Sequence, residues 1–331
     1  MILVTGGAGY IGSHCVVELL KRGENVVVFD NLSTGHIETI ERLQKIAKNG
    51  QLKFIKGDLK SCEDLKQLFD MVKIDAVIHF AALSQVEQSM REPYLYFQNN
   101  VSGTINLLDA MVKHGVKYII YSSSAAVYGS PKNIPIVETD EKKPINPYGL
   151  TKFTSEMILK DYDERNGIKS MALRYFNVAG ANPDGLTGEW HEPETHLIPK
   201  ILKSIKGENG SEFCIFGDNY PTQDGTCVRD YIDVNDLISA HLLALEYLKN
   251  NNQSNVFNVG TENGASVKEI FEACKEVTKK EVSYKICERR AGDPPKLCAD
   301  TNKIRNFLKW KPHYSIHESI KNAWKWECRP S

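Results

Sequence analysis

Tyr148 and Lys152 stand four residues apart in the run Tyr148-Gly149-Leu150-Thr151-Lys152. On a helix that spacing sets both side chains on one face, about one turn apart. A phenol beside an ammonium can act as a proton-transfer base. The free phenol titrates near ~10, and a nearby cation favours its phenolate. Bringing that value to about 7 takes roughly 4 kcal/mol of added preference for the charged form. An ordinary helix can show the same spacing. The pair gains weight from the glycine-rich start of the chain.

The elements that must position this pair begin at residue 1. Met1-Ile2-Leu3-Val4 is a short apolar run suited to a buried parallel strand. Thr5-Gly6-Gly7-Ala8-Gly9-Tyr10-Ile11-Gly12 follows. Gly6 permits a tight turn, Gly9 lets backbone approach a pyrophosphate, and Gly12 lets the next helix pack close to the strand. From Tyr10 to about Arg22, Ile11, Cys15, Leu19 and Leu20 form one apolar stripe of a helix. That helix aims its N–H groups and positive dipole end at phosphates. A second strand, Asn25 to Phe29, ends at Asp30, 18 residues beyond Gly12. An acid there meets the adenosine ribose hydroxyls and repels a ribose phosphate, so the expected cofactor is NAD rather than NADP. The nicotinamide cation would join Lys152 in lowering the Tyr148 pKa.

A chain of 331 residues with 41% hydrophobic content holds one large α/β unit and a smaller one. A net charge of −1 argues against nucleic-acid and membrane-surface partners. No segment approaches the ~20 apolar residues of a membrane span. With a strand starting at residue 2, no signal peptide is read, and a cytoplasmic enzyme is expected. The eight cysteines, Cys15, Cys62, Cys214, Cys227, Cys274, Cys287, Cys298 and Cys328, include no C-x-x-C pair and are expected to be reduced. No metal-binding spacing is read among the histidines, so no metal is expected. His79 is read as a core or loop histidine.

Strand patterns at 2–5, 25–29, 52–56, 75–80, 117–122 and 169–174 alternate with helical ones near 10–22, 37–48, 61–72, 93–114 and 147–166. The expected fold class is α/β: a doubly wound, Rossmann-like parallel sheet with a smaller interleaved C-terminal α/β domain. Ligands then sit beyond the C-terminal strand ends, which carry Gly6, Asp30, Asp58, Ala81, Ala82 and Ser122 to Ser124. Asp58 either caps the next helix or contacts the adenine. After about Asn177 turn signals become frequent, as in Ala181 to Gly185, His191-Glu192-Pro193, Asp218 to Pro221 and Gly292 to Pro295. Helices are expected near 196–206, 233–249 and 266–278, a strand at 256–259, and a loop at Asn250 to Gln253. The domain reading is 1–176 plus about 233–262 for NAD, and 177–232 plus 263–331 for the second ligand.

Several longer stretches carry a resemblance. They are Ser122-Ser123-Ser124-Ala125-Ala126-Val127-Tyr128-Gly129, Asn146-Pro147-Tyr148-Gly149, Leu173-Arg174-Tyr175-Phe176-Asn177 and Asp224-Gly225-Thr226-Cys227-Val228-Arg229-Asp230-Tyr231. With the glycine pattern and Tyr148-x-x-x-Lys152, the chain resembles the extended short-chain dehydrogenase/reductases and, within them, the UDP-glucose 4-epimerase family, nearly end to end. The resemblance implies inversion at C4 of a UDP-hexose through transient hydride transfer to tightly held NAD and a 4-keto sugar. By position it implies that Tyr148 is the base, that Lys152 holds the nicotinamide ribose and lowers the Tyr148 pKa, and that Ser124 bonds the 4-oxygen. It further implies cofactor contacts at Gly6, Gly9, Tyr10, Ile11, Gly12, Asp30, Asn31, Asp58, Leu59, Phe80, Ala81, Ala82, Asn99, Ser122, Tyr148, Lys152 and Tyr175. UDP-sugar contacts are implied at Ser124, Tyr148, Asn177, Phe216, Arg229, Arg290, Asp293 and Leu297. A homodimer through the helices near 93–114 and 147–166 is implied too.

The chain departs from the family where Ser84 replaces a common lysine and where Val86-Glu87-Gln88-Ser89 replaces Val-Gly-Glu-Ser. Leu297 takes the place of a residue that limits space at the sugar 2-position. Leucine is smaller than tyrosine, so N-acetylated UDP-hexoses are expected as substrates too. Sugar-nucleotide 4,6-dehydratases resemble this chain, but they carry an Asp-Glu pair where Ala125 and Ala126 stand, and a methyl group moves no proton. UDP-glucuronate 4-epimerases or decarboxylases remain as alternatives, as does a non-enzymatic NAD-sensing protein on the same scaffold.

Overall fold

Runs of apolar residues bury on both faces only in a sheet covered on both sides. The computed structural model, which describes residues 1–207, 213–290 and 293–329, places them so. The strands run β1 (Ile2–Thr5), β2 (Val26–Asp30), β3 (Leu52–Lys56), β4 (Ala76–His79), β5 (Tyr118–Ser122), β6 (Lys169–Tyr175) and β7 (Asn177–Ala179). They continue as β8 (Phe213–Phe216), β9 (Val228–Asp233), β10 (Asn255–Val259), β11 (Gly264–Ser266), β12 (Tyr284–Cys287) and β13 (Lys296–Leu297). The helices are α1 (Tyr10–Lys21), α2 (Ile37–Ile46), α3 (Cys62–Met71), α4 (Val86–Arg91), α5 (Pro93–Tyr96) and α6 (Gly103–Lys113). After them come α7 (Pro147–Asn166), α8 (Leu197–Lys206), α9 (Val234–Asn251), α10 (Val267–Thr278), α11 (Asn302–Leu308) and α12 (Ile316–Glu327).

The chain divides into two units. One comprises Met1–Gly129, Glu141–Arg174 and Ile238–Phe257; the other comprises Ser130–Asp140, Tyr175–Leu237 and Asn258–Ser331. A seven-stranded sheet in the order β10-β6-β5-β4-β1-β2-β3 forms the first. β1 pairs parallel with both β2 and β4, and the strand order reverses there. That reversal opens a crevice at the C-terminal strand ends, where doubly wound sheets bind ligands. β1, β2 and β4 are buried at every position. Leu3, Val27, Val77 and Ile119 pack with Leu107, Leu108 and Met111 of α6.

The glycine turn follows from two close approaches. Gly6 has φ +72°, and a Cβ there would stand 2.6 Å from the Ala81 amide nitrogen. A Cβ on Gly12 would stand 2.2 Å from the Gly6 carbonyl oxygen, so α1 packs directly on the turn. Gly9 is the N-cap of α1 and brings no side chain to its first-turn amides.

The helix expected near 93–114 contains a wider turn. α5 leads into a π-helical turn, Phe97–Ser102, before α6 resumes. From that turn Asn100 reaches Leu83 N and O, both at 2.9 Å, and Thr151 Oγ1 at 3.2 Å. α4 occupies a segment read without a helix. α9 runs on through Asn251, whose side chain donates to the Tyr247 carbonyl at 2.9 Å, so the loop expected at Asn250 begins two residues later.

In the second unit, β9 pairs with β7, β11 and β13, while β8 and β12 form a separate parallel pair. Ile198, Ile201 and Leu202 of α8 pack with Phe213, Phe271 and Ile320. The expectation that all cysteines are reduced fails at one pair. Side-by-side β8 and β12 bring Cys214 and Cys287 together as a disulfide, with Cα atoms 6.0 Å apart. Cys15, Cys227, Cys274 and Cys298 are buried free thiols. Part of the turn expected at Gly292 to Pro295 lies outside the described residues.

Candidate active site

Pro147 opens α7 at a position where its missing N–H costs nothing, and the Asn146 side chain accepts the Gly149 amide at 2.8 Å. A Cβ on Gly149 would stand 2.5 Å from the Ala126 carbonyl oxygen. The absence of a side chain there lets α7 press against the 3₁₀ turn Ala125–Tyr128, which follows Ser124. Two remote segments thereby bring the Ser124 hydroxyl close enough to the Tyr148 phenol to influence its titration.

Tyr148 is buried, and burial pushes its phenol above the ordinary value, while the Ser124 hydroxyl pulls it back down. Lys152 is buried to 3% exposure and donates to the Ser122 carbonyl at 2.7 Å. Its Nζ lies 5.0 Å from the Tyr121 ring centroid and 6.0 Å from that of Tyr148. Burial lowers the Lys152 pKa to about 7, with Glu156 opposing. The Lys152 ammonium is aimed at a backbone carbonyl, and burial makes its own charge costly to keep.

Glu156 is the residue that sequence reasoning missed. It lies one turn beyond Lys152 and is 9% exposed. Ser123 Oγ donates to Glu156 Oε1 at 2.5 Å, and Arg174 grips both carboxylate oxygens, at 2.9 and 2.6 Å. Arg174 also donates to Tyr128 Oη at 2.8 Å. The signal was the i, i+4 spacing of Lys152 and Glu156, together with an arginine inside the Leu173-to-Asn177 stretch. His241 is a second omission, bonded to Ser122 Oγ at 2.9 Å with its ring 4.9 Å from that of Phe80.

The residues expected to hold the cofactor, Tyr175 apart, gather in the first unit. Asp30 ends β2 and accepts the Ala8 amide at 3.0 Å and the Leu32 amide at 2.8 Å; burial raises its pKa. Asn31 donates to Asp58 at 3.1 Å. Asp58 is not the cap of α3. Ser61 is, accepting from Asp64 N, while Asp58 accepts the Lys60 amide at 2.8 Å. Phe80 and Ala81 return to the glycine turn through Thr5, Ala82 follows them, and Tyr10 and Ile11 open α1. Leu59 is buried against Gly103. Asn99 donates to Asn100 Oδ1 at 3.0 Å. Tyr175 belongs to the second unit and is half-buried.

The cradle fits a dinucleotide. First-turn amides of α1 without a side-chain cap suit a pyrophosphate, and an acid at the end of β2 suits a ribose.

Those expected to hold the nucleotide sugar, Ser124 and Tyr148 apart, lie in the second unit. Arg229, 9% exposed, is ion-paired with Asp293, and its register partner is Leu297. The Arg290 guanidinium lies 4.1 Å from the Phe216 ring centroid. Asn177 is exposed at the start of β7, opposite Tyr231. Asp230 of the same motif points inward, accepting from Thr261, Glu262 and Ala299.

His79 is a core histidine, bonded to Thr5 Oγ1 at 2.7 Å and Thr104 Oγ1 at 3.0 Å, and burial lowers its pKa to about 3. His313 and His317 do stand four apart, a spacing the sequence reading passed over. His313 precedes α12, however, and His317 faces Glu276 at 3.3 Å.

A family model described as GDP-mannose 4,6 dehydratase matches residues 3–323. The UDP-glucose 4-epimerase of Lactobacillus helveticus is 51% identical over 326 residues, 98% of this chain and 96% of its own length. The crystal structure of UDP-glucose 4-epimerase from Stenotrophomonas maltophila with bound NAD and formylated UDP-arabinopyranose superimposes with a TM-score of 0.94 at 40% identity, covering 98% and 97% of the two chains. The structure of the UDP-Glc/GlcNAc 4-epimerase of Campylobacter jejuni does so with a TM-score of 0.85 at 44% identity, covering 98% of each.

Proposed function

The chain belongs to the extended short-chain dehydrogenase/reductase family that the GDP-mannose 4,6 dehydratase model describes, and on that premise we propose that it reversibly inverts C4 of a UDP-hexose, interconverting UDP-glucose and UDP-galactose. Bound NAD would supply the hydride acceptor for C4 and, once reduced, the donor that returns the hydride to the opposite face of the 4-keto sugar. Tyr148 receives the proton of the 4-hydroxyl at its phenol oxygen, and Ser124, whose hydroxyl favours the phenolate, holds the same sugar oxygen. Lys152 would hold the nicotinamide ribose, Gly6, Gly9 and Gly12 the pyrophosphate, and Asp30 the adenosine ribose. Arg229 and Arg290 would take the substrate diphosphate, with Asp293 on the uridine ribose, Phe216 against the uracil and Leu297 near the sugar.

One observation carries this reading: a buried tyrosine whose phenol is eased towards its anion by the Ser124 hydroxyl, one helical turn from a buried lysine. Dehydration is disfavoured although the family description names it. Ala125 and Ala126 occupy the turn after Ser124 and bring no acid to protonate a leaving hydroxyl. Leu297, together with the printed substrates of the Campylobacter jejuni protein, supports UDP-N-acetylhexoses as additional substrates.

A homodimer is supported by Tyr94, Leu150 and Met157, which are 73%, 43% and 58% exposed on α5 and α7. No described helix is long and apolar enough to cross a membrane, and a cytoplasmic enzyme fits that. Incubation of the purified protein with UDP-galactose tests the reading. UDP-glucose should form without net change in NADH. Turnover of UDP-glucuronate alone would transfer the reaction to another substrate, and no turnover of either would leave only NAD binding.

A further inference from the structure

Glu189, His191, Glu194 and His196 converge outside the residues assigned above. One donor atom from each lies within 4.8 Å of the others. The side chains of Glu189 and Glu194 are 6% and 5% exposed. Glu189 Oε1 faces His191 Nδ1 at 3.2 Å and is bonded to His196 Nδ1. The Glu194 carboxylate is held from one side: its Oε1 accepts the Thr195 and His196 amides at 2.7 and 2.8 Å. Its Oε2 is buried and accepts no hydrogen bond among the described residues. His191 Nδ1 stands 3.9 Å from that oxygen, too far for a hydrogen bond.

We propose that these four side chains form a site for one divalent transition-metal ion of the zinc class. Two imidazoles and two carboxylates are a borderline donor set, too nitrogen-rich for calcium or magnesium and lacking the thiolates of the softest sites. A tetrahedron with bonds of ~2.0–2.1 Å has edges of ~3.3 Å, so an ion would draw the widest of these donors, now within 4.8 Å, together by ~1.5 Å and replace the direct Glu189–His196 contact. Four protein ligands leave no open position, which makes the ion structural rather than catalytic. Trp326 Nε1 donates to the Glu189 carbonyl at 2.9 Å and steadies the first ligand. His196 is the N-cap of α8, so the ion would pin the approach to a helix whose Ile198, Ile201 and Leu202 lie in the core. The spacing 189, 191, 194, 196 fits no common motif, which is why the sequence reading expected no metal.

The competing account is an ion-paired network in which protonated imidazoles take the place of the metal. Chelator-stripped full-length protein, titrated calorimetrically with zinc sulfate, separates the two. The expected result is one equivalent bound, with affinity at least about 100-fold weaker in His191→Gln and Glu194→Gln. Cobalt substitution should give visible d–d bands without the near-ultraviolet charge-transfer band of a thiolate. Zinc should also raise the urea midpoint of the wild type. Absence of zinc binding by the wild type overturns the proposal whatever the variants do. So does a thiolate band, which would place the ion on Cys62 or Cys328. Circular dichroism of the variants excludes misfolding as the cause of a lost signal.

Discussion

Lys152 and Glu156 sit one turn apart on α7 and grip consecutive residues at the end of β5: Lys152 donates to the Ser122 carbonyl at 2.7 Å, and Glu156 accepts the Ser123 hydroxyl at 2.5 Å. The two contacts lock the helix to the strand end that delivers Ser124. The alignment of Ser124 with Tyr148 therefore depends on two buried charged side chains that hold the residues just before Ser124.

Replacing Tyr148 with phenylalanine removes the phenol oxygen and little else. UDP-galactose turnover should fall roughly 10²- to 10⁴-fold, while NAD content and urea midpoint stay near wild type. Equal turnover in the two proteins would remove Tyr148 from the reaction.

Arg174→Met strands the Glu156 carboxylate in the interior. Breaking a buried pair costs about 3–5 kcal/mol, and removing both partners costs less. Urea denaturation of Arg174→Met, Glu156→Leu and the double variant should show the double variant more stable than Arg174→Met. Strict additivity would mean that the pair contributes no coupling.

His79 makes the first unit acid-sensitive. Its imidazole takes a proton near 6.5 in the unfolded chain but only near about 3 when folded, so the unfolded chain binds more protons between those values. This contribution is whole above about pH 6.5 and is lost as pH falls towards 3. Between pH 7 and pH 5 the wild type should lose about 2 kcal/mol more than His79→Gln. Parallel losses in the two proteins would count against a neutral buried imidazole.

At Gly12 even one methyl group meets backbone. Gly12→Ala sets a Cβ 2.2 Å from the Gly6 carbonyl oxygen, which cannot give as a flexible side chain would. The expected cost is about 1–3 kcal/mol, with loss of NAD during gel filtration. Retention of both stability and NAD would show that the turn has more room than its geometry indicates.

Leu297 lies opposite Arg229 in the register of β13 with β9. Leu297→Tyr should lower kcat/KM for UDP-N-acetylgalactosamine at least ~10-fold and leave UDP-galactose within about 3-fold. Matched losses on both sugars would remove the space argument.

What the sequence revealed was local. Gly6, Gly9 and Gly12, the acid at Asp30, and the pair Tyr148 and Lys152 are each recognisable from spacing along one element. Pairs made by tertiary folding stayed hidden. Arg174 meets Glu156 from 18 residues away, on a different element. Cys214 meets Cys287 from 73 residues away, and only because β8 pairs with β12, a match between short strands that no periodicity announces. α4 was missed because Val86–Arg91 is too short to show a helical period. α12 could have been found, since Ser315 and Glu318 form a capping box that is visible as Ser-x-x-Glu.

The π turn at Phe97–Ser102 makes chain length there a constraint in its own right. Deleting one residue would relax the wide turn to ordinary α geometry and rotate everything before it by about 100° relative to α6. Asn100 could then no longer serve Leu83 and Thr151 together. Single-residue deletions in this stretch should therefore do more harm than most substitutions, and natural variation should change its letters far more readily than its number of residues.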